Sequence, residues 1–216
     1  MSASAEAAID TVVFDFGGVF TPSPFEAVRT MGEVAGIDYD QAMLFVFGPY
    51  DDDTDHPWHR AERGELSLDE ARDQIADQAR LAGLELDLYD MLKYMSGAGV
   101  RDDVVERTRR LRADGYRTGM ITNNVVEFRE LWRAMIPLDE LFDVVVDSSE
   151  VGMRKPDPRI FRLVLDRLGQ ADAARSVFLD DYPGNVVAAE ACGMHGILVP
   201  HEHGVALSRL DALLAG

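Results

Sequence analysis

Five short apolar runs, rich in β-branched residues, constrain the fold of this chain more than any other feature. They cover residues 11–14, 118–122, 143–146, 176–180 and 196–199. Continuous apolar runs of this length suit strands covered on both faces, as in a parallel sheet. Helical patterns lie between the later runs. Residues 102–113 carry Val104, Val105, Thr108 and Leu111 at helical spacing, and Gly115 stops the pattern. Asp157 caps a second helix with Pro158 in its first turn, and Ile160, Phe161, Val164 and Leu168 form the inner stripe. Residues 185–192 form a third, ended by Gly193. This alternation predicts an α/β fold built on a doubly wound parallel sheet.

One interval breaks the alternation. Residues 20–99 separate the first run from the next alternating unit, far more than a single crossover helix needs. The patterns inside it are helical, over residues 25–34, 39–47, 67–81 and 86–95, with Ser67 and Glu70 at capping-box spacing. The expectation is a core domain of residues 1–19 and 100–216 with a helical cap domain, residues 20–99, inserted after the first strand.

In open α/β sheets, ligands bind beyond the carboxyl ends of the strands. Asp15 ends the first run and is followed by Phe16, Gly17 and Gly18, a turn that frees backbone N–H groups. A carboxylate there is poorly placed for packing and well placed to attack an electrophile or hold a cation. Thr122 ends the second run, with Asn123 and Asn124 after it. Asp180 and Asp181 follow Phe178 and Leu179, and Lys155 lies just before the helix capped by Asp157. Singly, each has an ordinary explanation as a cap, a turn or a solvated surface group. Together, at strand ends, they describe one site.

Charge and cysteine content narrow the partners. The 216 residues carry 39 Asp and Glu against 21 Lys and Arg, a formal charge of −18. Nucleic acid and anionic membranes are held by Lys/Arg clusters, so neither is expected as a partner. An acidic protein that binds an anionic substrate needs a local positive centre, such as a metal ion. Cys192 is the single cysteine, so no intrachain disulfide forms. The Ala/Ser-rich residues 1–10 lack the basic and apolar regions of a signal peptide, and no apolar run reaches membrane-spanning length. A soluble cytoplasmic protein is expected.

The segments VVFDFGGVF, GMITNN, VGMRKPDPRIF and SVFLDDYPGN resemble, in order, the four motifs of the haloacid dehalogenase-like superfamily. The resemblance covers nearly the whole chain. It is closest to the branch with a helical cap between the first two motifs, among sugar-phosphatase-like members and the N-terminal phosphatase domain of soluble epoxide hydrolases. It implies a Rossmann-like core and a Mg2+-dependent phosphatase acting on a small phosphorylated metabolite, a sugar phosphate being one such substrate. It implies Asp15 as a nucleophile that forms an aspartyl phosphate, with Thr122 and Lys155 as catalytic partners. It implies Asp15, the main-chain oxygen of Gly17 and Asp181 as Mg2+ ligands, with Asp180 behind them. The N–H groups of Gly17, Gly18 and Asn123 would help hold the phosphoryl group. The chemistry is coherent, because phosphoryl transfer mainly requires positioning and charge neutralisation. Three carboxylates repel a phosphate dianion; Lys155 offsets one charge and a divalent cation two.

The chain departs from the family pattern at one position. Most phosphatases of the superfamily carry a second aspartate two residues after the nucleophile, as an acid and base for the leaving group and water. Gly17 stands there. His56, His59 and Glu62, in the inserted stretch, are candidates to supply a replacement, and Trp58 is a candidate platform for a sugar or other organic group. Asp51, Asp53, Asp55 and Glu62 match some calcium-loop positions, but His56 and Pro57 replace the required turn, so a calcium loop is not expected. The plainer reading of this segment is a polar loop capping a helix that starts near Pro57. Two rival functions follow from Gly17: a 2-haloacid dehalogenase, against which the Asp180–Asp181 pair argues, and a binding protein that has lost turnover.

Overall fold

A computed structural model describes residues 8–95 and 99–215. The start of the chain through residue 7 lies outside the described residues, as do residues 96–98 and 216. Each of the five apolar runs is a strand, in three cases with edges shifted by a residue: β1 (Thr11–Phe14), β2 (Arg117–Thr122), β3 (Val144–Asp147), β4 (Ser176–Asp180) and β5 (His195–Leu198). They pair in parallel in the order β3-β2-β1-β4-β5. Strand order therefore reverses between β1 and β4, the position where open α/β sheets bind ligands.

Helices α1 (Pro24–Ala35), α2 (Tyr39–Val46), α3 (Pro57–Glu62), α4 (Leu68–Leu81) and α5 (Leu88–Met95) follow β1, and α6 (Asp102–Ala113) leads into β2. Between β2 and β3 lie α7 (Arg129–Arg133) and α8 (Leu138–Leu141). Between β3 and β4 lie α9 (Ser148–Val151) and α10 (Pro158–Arg167). After β4 comes α11 (Pro183–Ala191), and after β5 comes α12 (Gly204–Leu214). Among the described residues, no helix is long and apolar enough to cross a membrane.

The strands show why continuous apolar runs are needed. Side chains alternate between sheet faces. Val12, Phe14, Met120 and Leu179 pack on one face with Val104 and Leu111 of α6, Trp132 of α7 and Leu210 of α12. Val13, Ile121, Val146 and Phe178 pack on the other with Ile160, Phe161 and Val164 of α10 and Ala189 of α11. Both faces are covered, so polar residues have no place in the strand middles. Each large side chain buried completely, as Phe14 and Phe178 are, contributes about 1.5–3 kcal/mol.

The inserted helices share an apolar cluster, with Val28 and Met31 of α1, Ile75 and Ala79 of α4, and Leu88 and Met91 of α5, which also takes in Val125 after β2. Local signals start and stop them. Ser23 caps α1 ahead of Pro24, and Gly36 ends it at φ 72°, a left-handed conformation that favours glycine. Ser67 and Glu70 form the capping box of α4. The chain leaves and rejoins the sheet at one point, because the Arg101 N–H donates to the Phe20 carbonyl at 2.8 Å. Phe20 itself packs on the sheet side, its ring 5.6 Å from Phe14 and 5.8 Å from Phe142.

Candidate active site

The β-sheet register brings two carboxylates level. Phe14 pairs with Leu179, so Asp15 and Asp180 leave adjacent strands side by side. The Asp15 N–H still donates to the Leu179 carbonyl at 2.8 Å, which fixes where the carboxyl points. Its Oδ1 accepts from the Phe16 N–H at 2.7 Å and lies 2.8 Å from Lys155 Nζ. Among the described residues nothing hydrogen-bonds Oδ2, so a 7 % exposed carboxylate keeps one oxygen free.

Lys155 is fully buried and its ammonium also lies 2.7 Å from Asp180 Oδ2. Asp180 is held in turn by the Asn185 amide, at 3.2 and 3.1 Å, and by the Tyr182 N–H at 2.8 Å. Asp181 completes the group. Asp15, Asp180 and Asp181 each offer an oxygen within 4.8 Å of the others, and Asp181 Oδ2 is buried with no hydrogen-bond partner. Gly18 makes this approach feasible. It has φ +71°, and a Cβ there would stand 2.0 Å from Asp181 Cγ.

Electrostatics shows what the cluster lacks. Burial pushes the Asp15 carboxyl well above its usual range, with Lys155 opposing and Asp180 adding to the rise. Burial and the Asp180 charge push Asp181 up to about 7. Burial works against the Lys155 ammonium, yet Asp15 and Asp180 outweigh it and hold its pKa above the ordinary value. Three carboxylates share one buried ammonium, an arrangement short of positive charge. The donor set is all oxygen, which suits Mg2+, and the unpartnered Asp181 oxygen is one such donor.

Thr122, at the end of β2, is 4 % exposed. Asn123 does more than lend its N–H. Its side-chain oxygen accepts from the Lys155 N–H at 2.8 Å, and its amide donates to the Lys155 carbonyl at 3.0 Å. This two-point clamp sets the lysine backbone. The Gly17 backbone has no left-handed strain, and a Cβ would meet only Pro24 at 3.6 Å, ordinary contact. A side chain is therefore not sterically excluded where the family pattern has its second aspartate.

The structure does not bring His56, Trp58, His59 or Glu62 to the Asp15 carboxyl as free groups. Trp58 is 7 % exposed, packs 5.1 Å from the Phe47 ring and donates its indole N–H to Glu62 Oε1 at 2.8 Å. It is buried in the apolar cluster of the inserted helices rather than presented as a platform. His56 caps α3 by accepting from the Trp58 N–H, the plainer of the two readings of this segment. His59 Nδ1 accepts from the Thr54 N–H at 3.0 Å. Glu62 is 1 % exposed and already holds Tyr50, Trp58 and Arg154. None of these four lines the cleft of about 410 Å3 beside Gly18 and Asp181. Tyr50, from the same inserted stretch, reaches the loop after β2 instead: its hydroxyl accepts from Asn123 Nδ2 at 3.3 Å and donates to Glu62 at 3.0 Å. Nothing in its local sequence marks it.

Both histidines are held neutral. Burial, reinforced by the Arg154 charge, lowers His56 to about 4 and His59 to about 3. An unfolded histidine titrates near 6.5, so below that pH the unfolded chain binds more protons than the folded one. Stability is complete above pH 6.5 and is lost as pH falls toward the folded values. Each ring is expected to remove about 2 kcal/mol between pH 6.5 and 5. Urea midpoints at pH 7 and pH 5 check this. His59→Gln should remove about half of the acid loss due to the two rings; an unchanged loss would refute the buried neutral ring. Proton uptake by Asp15 and Asp181 is common to both proteins and cancels in the comparison.

A family model for haloacid dehalogenase-like hydrolases matches residues 9–193. Mouse acyl-CoA dehydrogenase family member 10 is 31 % identical over 94 % of this chain, which spans only 19 % of that protein's length. Sesquiterpene phosphatase astK of Aspergillus oryzae is 31 % identical over 86 % of this chain and 87 % of its own. A predicted HAD-like family hydrolase from Porphyromonas gingivalis superposes with a TM-score of 0.66, at 24 % identity over 95 % of this chain and 98 % of that one. With the family model spanning β1 to β4, the inserted helices and all four strand-end segments, the chain belongs to the haloacid dehalogenase-like hydrolases.

Proposed function

We propose that this chain is a Mg2+-dependent phosphatase that hydrolyses a small phosphorylated metabolite, a sugar phosphate being one candidate, through an aspartyl phosphate on Asp15. The observation that carries the reading is the free Oδ2 of Asp15, clustered with the carboxylates of Asp180 and Asp181 and one buried ammonium. Asp15, the main-chain oxygen of Gly17 and Asp181 would hold Mg2+, with Asp180 bracing Lys155 behind them. When bound, Mg2+ would neutralise charge on the carboxylates and the phosphoryl oxygens.

The remaining steps belong to the protein. Asp15 Oδ2 forms a bond to phosphorus as the ester P–O bond breaks, and the leaving oxygen takes a proton from water. Lys155, the Thr122 hydroxyl and the N–H groups of Gly17, Gly18 and Asn123 hold the phosphoryl oxygens. Water then attacks phosphorus, inorganic phosphate leaves, and the Asp15 carboxylate returns. Halide displacement by the same aspartate gives the Asp180–Asp181 pair no task, so the acidic cluster favours phosphoryl transfer over dehalogenation. The phosphatase name of the relative that matches nearly end to end points the same way.

The test is phosphate release from a panel of sugar, nucleotide and acyl phosphates with Mg2+. Release that disappears in excess chelator and returns with Mg2+ is expected. Full activity in chelator, or no release across the panel, would overturn the reading.

A further inference from the structure

The chain has almost two acids for each base, so an arginine without a carboxylate partner calls for an explanation. Two such arginines face one cleft. Arg29 on α1 is exposed, lies with its guanidinium 4.2 Å from the centre of the Tyr39 ring, and has no carboxylate within ion-pair distance among the described residues. Arg101, after the inserted helices, is half-buried. Its Nη1 donates to the Gly18 carbonyl at 2.5 Å and the Val19 carbonyl at 3.2 Å, and no carboxylate pairs with it either.

The cleft between them encloses about 410 Å3, at the small end of the range for small-molecule sites. Gly18 and Asp181 form its border, so it opens directly onto the cluster around Asp15. Phe25, Tyr39 and Tyr182 supply rings along its sides. Glu26 also lines it, beyond ion-pair distance of Arg29, and Asp181 is the other acid along it. A phosphomonoester held at Asp15 would extend its organic part into a space with aromatic walls and two guanidinium groups.

We propose that this cleft binds a second anionic group of the substrate, a carboxylate or a second phosphate, through Arg29 and Arg101. The proposal rests on the phosphatase reading and narrows its substrates to phosphomonoesters whose organic part is itself an anion. Guanidinium is suited to both anions, because its planar fork matches carboxylate and phosphate oxygens. Arg101 ties recognition to the phosphoryl site, since the same side chain holds the Gly18 carbonyl.

Equilibrium binding to the Asp15→Asn protein, with Mg2+ present, tests this without turnover. Two matched pairs serve as probes: 3-phosphoglycerate against glycerol 3-phosphate, and fructose 1,6-bisphosphate against fructose 6-phosphate. In at least one pair the doubly anionic member is expected to bind about tenfold tighter or more, and adding Arg29→Gln is expected to close most of that gap. The pair that shows the gap identifies the anion. Equal affinities in both pairs, or a gap that survives Arg29→Gln, would overturn the proposal. The two readings separate cleanly. An Arg29-dependent gap with no phosphate release by the unmutated enzyme keeps the cleft and removes the phosphatase. Mg2+-dependent release with no gap does the reverse.

Discussion

Asp15→Asn is expected to lower turnover on the order of 10^4-fold or more while leaving the protein folded. The amide has no oxygen able to form a stable ester with phosphorus. The rest of the site should survive the change. An asparagine oxygen can still accept from the Phe16 N–H and from Lys155, which keeps Asp180 at 2.7 Å. Stability should hold or rise. The Asp15 carboxyl is pushed well above its usual range by burial and by Asp180, so the folded state gains from losing that charge. The check is steady-state phosphate release together with a urea midpoint. A variant that keeps more than a tenth of the activity would remove Asp15 from the role of nucleophile. Lost activity with a collapsed midpoint would show that Asp15 is structural instead.

The parts of this protein that were legible in its sequence share a physical property: local residues decide them. β1, β2 and β4, inside the sheet, are buried along nearly their whole length, so they appear as short apolar runs; the edge strands β3 and β5 are only partly buried but keep apolar residues where they pack. α4 and α10 carry their own start signals in Ser67 with Glu70 and in Asp157 with Pro158. α7, α8 and α9 have five, four and four residues, too few for a helical period to emerge. α12 is a different omission. Nothing after β5 was anticipated, although Ala206, Leu207, Leu210, Leu213 and Leu214 repeat at helical spacing and pack on the sheet.

The candidate site divides in the same way. Asp15, Thr122, Asp180 and Asp181 lie at strand ends, where chain topology alone brings them near one another. What the inserted helices contribute depends on which face of each helix turns inward, and that is set by packing between distant segments. A tryptophan between two histidines suggested a recognition loop. α3 instead buries Trp58 and His59 among the inserted helices, where the apolar bodies of both rings are covered. Tyr50 and Asn123 meet across 73 residues, a distance in sequence that no local pattern records.

The largest stability effect is expected where the inserted helices meet the loop after β3. Arg154 is fully buried and Glu62 is 1 % exposed, and Arg154 Nε donates to Glu62 Oε2 at 2.6 Å across 92 residues of chain. The same guanidinium donates to the Asp52 carbonyl at 2.9 Å and lies 4.6 Å from the centre of the Tyr50 ring. Its Nη2 is buried with no partner, so part of its desolvation is uncompensated. Removing Arg154 leaves Glu62 buried without its cation, and removing Glu62 leaves Arg154 only the more distant Asp53 Oδ1, at 4.0 Å, among the described residues. Glu62→Ala and Arg154→Ala are each expected to cost about 3–5 kcal/mol, a large share of the roughly 5–15 kcal/mol typical of a folded domain. Replacing both together, Glu62→Leu with Arg154→Met, should cost less than either single change, because no charge is then stranded. Turnover should fall in the single variants as well, since Arg154 immediately precedes Lys155 and anchors the segment that presents its ammonium to Asp15. Denaturant titration of the two single variants and the double variant decides the matter. Single changes within about 0.5 kcal/mol of the parent would mean that the pair is hydrated in solution and that apolar packing alone joins the inserted helices to the rest of the chain.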